Sequence, residues 1–265
     1  MKIALIGYGK MGQMIEHIAL DRHHDIVCRI DRQNPEDFES AAFASADVAI
    51  EFTRPDQALD NYHKAFLHGI PVVSGTTGWT SQIEFLKQEV LEQGHTLLWA
   101  SNFSLGMAIF SDINRRLAHI MNAYPLYRAK MSETHHTQKM DAPSGTAITL
   151  AKTLIKETDH LNDWTLAGTF LKDGSPFKGG KENKSGENNQ EGKDPCASDI
   201  LPISSFRFPE VPGTHSITYS GEADEITITH KAFNRQGFAL GAVLAAEYVA
   251  QGHTGWLTLE DVYKF

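Results

Sequence analysis

Gly7-Tyr8-Gly9-Lys10-Met11-Gly12 stands directly behind the apolar run Lys2-Ile3-Ala4-Leu5-Ile6 and directly before a stretch of helical spacing, Met11–Leu20. Each glycine meets a separate steric demand: a tight turn after a strand, close approach of backbone to a diphosphate, and close packing of helix on strand. The amides at Lys10, Met11 and Gly12, with the positive end of the helix dipole, then face an anion. The motif alone is weak, and a purely structural glycine turn is its alternative. Its context adds weight. Asp31 closes the second predicted strand, where an acid can hydrogen-bond the ribose of an adenosine. That acid favours NADH, since it repels a ribose phosphate. Arg32 beside it either accepts such a phosphate, which admits NADPH, or is a solvated surface charge.

Outward from this motif, short β-rich runs alternate with helical patterns. Lys2–Ile6, Ile26–Ile30, Val48–Phe52, Val72–Ser74 and Thr96–Ala100 read as buried strands, and Met11–Leu20, Pro55–His68 and Ser81–Gln93 as helices. Pro55 suits a first helical turn and Gly69 a helix end. The alternation predicts a Rossmann-type doubly wound parallel sheet with right-handed crossovers. After about Gly106 the rhythm changes. Helices are expected at Met107–Met121, Ser144–Glu157 and Phe238–Ala250, and strands at Leu126–Glu133, Ser216–Tyr219 and Glu225–His230. Residues 174–199 are nearly free of apolar side chains and read as a mobile loop, a surface insertion with no core element. No internal repeat is present. The expected division is residues 1–105 and 236–265 as a dinucleotide-binding domain, with 106–235 as a second α+β domain built on a mixed or antiparallel sheet.

The 265 residues are 41% apolar, enough for a real core, and 22% charged, which argues against wholesale disorder. A net charge of -9 without a basic run argues against nucleic acid as the main partner. No run approaches the roughly 20 apolar residues of a membrane helix, and the first residues reach glycine too early for a signal peptide. Cys28 and Cys196 lie in dissimilar surroundings, so a reduced cytoplasmic protein is expected rather than a disulfide.

Two loops follow predicted strands at the edge where open α/β sheets bind ligands: Ser74-Gly75-Thr76-Thr77-Gly78-Trp79 and Ala100-Ser101-Asn102-Phe103-Ser104. Their amides and small hydroxyls suit a nicotinamide, and ordinary loop chemistry is the alternative. The densest polar cluster runs from Glu133 through His135-His136, Lys139 and Asp141 to Ser144-Gly145-Thr146-Ala147. A helix beginning there offers hydroxyls and unpaired amides to a carboxylate, while the histidines and the lysine bring positive charge and transferable protons. An anionic imine or enamine needs those parts. Helix caps and surface histidines would leave the same pattern. Zinc is not expected, because no third ligand of suitable spacing lies near the histidine pair. His17, His23, His24, His63, His68, His95, His119, His160 and His253 read as unpartnered surface residues, and His215 and His230 as packing or sheet-face residues. Met11 and Met14 read as core.

These residues resemble the 4-hydroxy-tetrahydrodipicolinate (dihydrodipicolinate) reductase family along nearly the whole chain. The resemblance is most specific at His135-His136, Lys139 and Asp141-Ala142-Pro143-Ser144-Gly145-Thr146-Ala147. The N-terminal glycines, Gly75-Thr76-Thr77-Gly78, Asn102-Phe103-Ser104, Ile228-Thr229-His230-Lys231-Ala232, Arg235 and Phe238–Ala242 support it. It implies His135 as general acid, Lys139 as proton donor or substrate cation, and His136, Ser144, Gly145 and Thr146 as carboxylate holders. It also implies Asp31 and Arg32 at the ribose, nicotinamide contacts from Gly75, Thr76, Thr77, Ser101, Asn102 and Phe103, and Arg235 as a cofactor residue. A small dicarboxylate substrate, NADH or NADPH, a place in diaminopimelate and lysine biosynthesis, domain closure and a homotetramer belong to the same implication.

Two departures stand out. Arg207-Phe208-Pro209 replaces the family's Arg-x-Gly, an exchange expected to alter the local loop without touching a proton donor, and Ser101 replaces a proline. The alternatives are an amino-acid dehydrogenase of similar build, acting on aspartate or meso-diaminopimelate, and a dinucleotide-sensing protein without chemistry.

Overall fold

The computed structural model describes residues 1–177, 181–182 and 194–264. In chain order the elements are β1 (Lys2–Ile6), α1 (Lys10–Asp21), β2 (Asp25–Ile30), α2 (Ala41–Ala44), β3 (Val48–Glu51), α3 (Pro55–Leu67), β4 (Val72–Ser74), α4 (Ile83–Gln93), β5 (Thr96–Trp99) and α5 (Leu105–Met121). There follow β6 (Arg128–His135), β7 (Asp141–Ala142), α6 (Gly145–Lys156), β8 (Asp163–Leu171), β9 (Lys181–Glu182), β10 (Ile200–Arg207), β11 (Gly213–Ser220) and β12 (Glu225–Ala232). The chain ends with α7 (Gln236–Ala250), β13 (Gly255–Leu257) and α8 (Leu259–Val262). It divides into two compact units, Met1–Ala108 with Arg235–Phe265, and Ile109–Asn234. The first break falls inside α5, so Leu105 to Ala108 fall with the first unit.

The first unit holds a six-stranded parallel sheet in the order β13-β5-β4-β3-β1-β2. Alternation along β1 sends Ile3 and Leu5 into a core with α1 and α7, and Ala4 and Ile6 into a second core with α3 and α4. The sheet is therefore covered on both faces, as a parallel sheet must be. From β1 the chain goes first to β2 and then back past β1 to β3, so a crevice opens between the carboxyl ends of β1 and β3. In α7 the alanines at 239, 242, 245 and 246 are fully buried. A β-carbon on Gly241 would lie 1.7 Å from the Phe103 carbonyl oxygen, so that helix tolerates no side chain there.

The second unit holds a five-stranded mixed sheet, β12-β11-β6-β10-β8, in which β10 runs parallel to β6 and β8 while β11 runs antiparallel to β6 and β12. Strands β8 and β10 escape sequence inspection for a physical reason. The inward positions of β10 are Leu201, Ile203, Ser205 and Arg207, so its buried face turns polar halfway along. The strand expected at Leu126–Glu133 is β6, shifted to end at His135. Within the segment expected to be a loop, Lys181–Glu182 pairs in parallel with Asp141–Ala142, so it is not wholly without regular structure. Residues 178–180 and 183–193 of that segment lie outside the described residues.

Several histidines expected to stand alone have partners. His24 meets Glu247 at 2.7 Å, His63 meets Glu89 at 3.1 Å, and His253 stacks on Tyr248 with its Nδ1 2.7 Å from that residue's carbonyl. Cys28 and Cys196 are both free. Among the described residues no helix is long and apolar enough to cross a membrane.

Candidate active site

In the first unit, Gly7 turns the chain out of β1 at φ 94°, and its amide donates to the Ile30 carbonyl at 2.8 Å. The three glycines of the motif differ in what surrounds them. A β-carbon on Gly7 would fall 2.2 Å from the Phe52 carbonyl oxygen, and one on Gly12 would fall 2.2 Å from the Gly7 carbonyl oxygen. One on Gly9 would meet nothing within 4 Å. Gly7 and Gly12 are therefore required by packing, whereas Gly9 borders open space at the start of α1. Gly9 is also the N-cap of α1 and supplies no capping side chain, so the first amides of that helix have no partner of their own. They favour an anion.

A cavity of about 740 Å³ lies against this turn and is lined by Gly7, Gly9, Asp31, Arg32, Thr53 and Arg54 among others. Asp31 follows the last residue of β2, and its carboxylate accepts from the Gln33 amide at 2.7 Å. Lys64, on α3, also lines the cavity, a residue with no mark in the sequence beyond its helical position. Tyr8 donates to Glu16, which pairs with Arg29, so this residue of the glycine motif is tied to α1 and β2.

The loops expected at a nicotinamide and Arg235 are not among the residues lining that cavity. In the first loop, the Thr76 hydroxyl is spent internally. It donates to Glu51 at 2.9 Å and accepts from the Thr53 amide at 2.8 Å. The Thr76 carbonyl accepts from both Trp79 and Trp99. Glu51 is wholly buried and also accepts from Ser74 and Thr53, while burial pushes its carboxyl upward against those hydrogen bonds. The Thr76 hydroxyl is thus a loop anchor, and Thr77 is the exposed threonine of the pair. Gly75 lies against the Phe52 ring, where a β-carbon would come within 2.2 Å. In the second loop, the Asn102 side-chain Oδ1 accepts from the Ser104 amide at 2.9 Å, and Phe103 is buried against Phe52. Ser101 is exposed. Arg235 belongs to the first unit, as the exposed N-cap of α7.

In the second unit, β6 places Glu133 and His135 two residues apart and hence on one face of the sheet. Glu133 is buried, with its side chain wholly out of solvent. Its carboxylate accepts from the Ser144 amide at 3.0 and 3.1 Å and from Ser205 Oγ at 2.9 Å, with Arg207 Nη2 3.6 Å away. His135 is 8% exposed, with Nδ1 3.6 Å from Glu133 and its ring edge-on to His215 at 5.2 Å. Lys139 Nζ pairs with both oxygens of Asp141 at 2.8 and 2.9 Å. His136 is half-buried, and its carbonyl accepts from the Lys139 amide at 3.1 Å, which closes the turn between them. Ser144 caps α6 by accepting from the Ala147 amide at 3.2 Å, and the amides of Gly145 and Thr146 are left as the first two of that helix.

Burial pushes the His135 imidazolium down to about 4, reinforced by Lys139 and Arg207 and opposed by Glu133. Burial likewise pushes His215 down to about 3. Burial acts to raise the Asp141 carboxyl, but Lys139 outweighs it and the net direction is down. The cluster thus holds a neutral imidazole beside two charge pairs, Lys139 with Asp141 and Arg207 with Glu133, and Glu133 links it to the start of α6 through the Ser144 amide.

Arg207 and Phe208, which precede the exchanged Pro209, lie against the predicted proton donors: Arg207 donates to the Lys139 carbonyl at 3.1 Å, and the Phe208 amide to the His135 carbonyl at 2.9 Å. The ground for excluding zinc changes. Glu133, His135 and His215 bring ligand-type atoms within 4.8 Å of one another, a third partner that distant strands supply. The chemistry still opposes a cation there, since the carboxylate is already engaged by Ser144 and Ser205 and Arg207 stands 3.6 Å from it. Sequence reasoning missed Ser205, Arg207 and His215 as members of the cluster. The signal for His215 was alternation, which places it on the same face as Gly213.

A glycine turn and an uncapped helix at the switch point of a doubly wound sheet, with a proton-bearing cluster in a second unit, define a nicotinamide-dependent oxidoreductase. Residues 1–103 match the N-terminal model of dihydrodipicolinate reductase and residues 106–263 the C-terminal one. The chain belongs to the dihydrodipicolinate reductase family. It is 41% identical to 4-hydroxy-tetrahydrodipicolinate reductase of Christiangramia forsetii, over 99% of this chain and 97% of that protein. It is 29% identical to the enzyme of that name from Staphylococcus saprophyticus, over 99% of this chain and all of that protein. The dipicolinate-bound dihydrodipicolinate reductase of a Paenisporosarcina species has the same fold, with TM-score 0.70, 24% identity and 99% of each chain covered. The chain is an enzyme that uses NADH or NADPH.

Proposed function

We propose that this chain reduces the cyclic dicarboxylate imine formed from 4-hydroxy-tetrahydrodipicolinate, giving tetrahydrodipicolinate for diaminopimelate and lysine biosynthesis. The observation that carries this reading is that the buried Glu133 carboxylate takes the Ser144 amide at the start of α6 and stands 3.6 Å from His135 Nδ1, which ties the histidine to the helix end that begins with Gly145 and Thr146. The dipicolinate held by the Paenisporosarcina relative is a planar dicarboxylate of the same kind. On this reading the amides of Gly145 and Thr146, with His136, hold one carboxylate, and Lys139 faces the other charge. Ser144 acts through its cap rather than as a free hydroxyl. The nicotinamide delivers hydride when bound, and His135 supplies the proton from its imidazolium. Burial, with Lys139 and Arg207, depresses His135, and the negative charge of a dianionic substrate opposes those cations and so favours the protonated imidazole. Gly7, Gly9, Lys10, Met11 and Gly12 hold the diphosphate, and Asp31 and Arg32 hold the adenosine ribose. The protein acts in the cytoplasm as a homotetramer, for which β12, an edge strand with Ile226 40% exposed, offers a surface in the second unit.

The test is oxidation of NADH and of NADPH, followed by nicotinamide absorbance, with the product of dihydrodipicolinate synthase generated in the same cuvette. Rapid oxidation that depends on the synthase supports the reading. No oxidation with intact NADH binding sinks it, and turnover that requires ammonia moves the chain to the amino-acid dehydrogenases.

Cofactor choice is decided at Asp31-Arg32, both exposed on the cavity wall. Arg32→Ala is expected to raise KM for NADPH about tenfold and KM for NADH less, the loss of one charge-assisted contact. Equal effects on the two cofactors would remove Arg32 from the site.

A further inference from the structure

We propose that Glu133 is a positioning residue for the reaction, one buried carboxylate that aims the imidazole of His135 and fixes the start of the carboxylate-binding helix. Four groups from separate parts of the second unit converge on it. The Ser144 amide reaches both carboxylate oxygens, Ser205 Oγ donates at 2.9 Å, and Arg207 Nη2 and His135 Nδ1 each stand at 3.6 Å. The sheet register sets this up. Ser205 lies opposite Glu133 and Arg207 opposite His135 on β10, while His215 lies opposite Glu133 on β11. His135 Nδ1 is buried without a hydrogen-bond partner, and the Glu133 carboxylate stands 3.6 Å from it. Gly213 keeps the other edge clear, since a β-carbon there would sit 3.2 Å from Nε2.

A carboxylate behind one ring nitrogen fixes the tautomer and favours the imidazolium while the other nitrogen remains for chemistry. Hydrogen bonding to Ser144 and Ser205 alone would be met by a neutral amide. The charge is needed only for Arg207 and for a protonated His135. The groups facing His135 are Glu133 on its own strand, Arg207 from β10, His215 from β11, Lys139 from the following loop and Asp141 from β7. His230 lies one strand further along, opposite His215. Of these, Glu133 and Asp141 favour the proton and Lys139 and Arg207 oppose it.

The inference rests on His135 being the acid of the proposed reaction. The experiment is kcat and KM across pH for Glu133→Gln, Ser205→Ala and His135→Gln. Glu133→Gln is expected to lose about ten- to a hundredfold in kcat, the usual effect of removing the carboxylate behind a working imidazole, with KM for NADH unchanged. Its kcat is also expected to fall away at lower pH, because His135 loses its proton more readily without the carboxylate. Ser205→Ala keeps the charge and is expected to leave that limb in place. A Glu133→Gln limb that coincides with the wild type overturns the proposal. If Glu133→Gln does not fold, Glu133→Asp draws the charge back by one methylene and is expected to shift the limb the same way by less, and an unmoved limb again overturns it. His135→Gln with normal turnover sinks the underlying reading instead, whereas loss in His135→Gln beside an unmoved Glu133→Gln limb sinks this inference alone.

Discussion

Replacing His135 by glutamine lowers kcat by about 10²- to 10⁴-fold, the range for loss of a positioned proton donor, while the Kd for NADH stays within a few-fold of the wild type. The separation follows from where the residues lie. His135 closes β6 in the second unit, and the glycine turn and its cavity are built entirely by the first. Lys139→Ala is expected to fall into the same range, because it removes the cation paired to Asp141 that, on this reading, faces a substrate charge. The two losses are not expected to add, since both groups serve one substrate. In the wild type kcat/KM is expected to drop about tenfold for each unit of rising pH between 6 and 8. The free-protein value near 4 means that the protonated form grows rarer as pH rises. Stopped-flow turnover with separate fluorescence titration of NADH checks both statements. Near-normal turnover in both variants would place the chemistry elsewhere, and a flat kcat/KM profile would transfer the proton to Lys139.

The glycine motif carries the second large effect, and it splits by position. Gly12→Val sets a β-carbon 2.2 Å from the Gly7 carbonyl oxygen, a backbone atom that cannot rotate aside. The start of α1 must move off the turn. A loss of about 1–3 kcal/mol is expected from overpacking, a fall in Tm of several degrees, with NADH binding weakened about a hundredfold or more. Gly9→Ala meets nothing within 4 Å and is expected to leave Tm unchanged, yet to weaken NADH about tenfold because the added methyl lies where the diphosphate approaches. Thermal melts and NADH titration of the pair decide this. A stable Gly12→Val that binds NADH normally, or a Gly9→Ala with full affinity, would break the assignment of roles within the motif.

Much of this protein is legible in its order of residues because the relevant information is local. The steric demand of Gly7 and Gly12, the strand–helix alternation and the Ser144 cap each depend on a few neighbouring positions, and spacing exposes them. Charge and side-chain type along Glu133–Thr146 likewise mark a polar, proton-bearing segment without any knowledge of its surroundings. The sense of each group's use was not local. Thr76 looks free in the sequence and is consumed by Glu51 and Thr53, which stand 25 and 23 residues away. Ser205 reaches Glu133 across 72 residues and Arg207 reaches Lys139 across 68, through the pairing of β10 with β6. The strand that carries them shows no apolar alternation at its working end, because a buried face that serves polar partners has no hydrophobic signature. Alternation along a strand determines which residues share a face. Only the register between strands, set by the packing of the whole sheet, decides which of those residues meet.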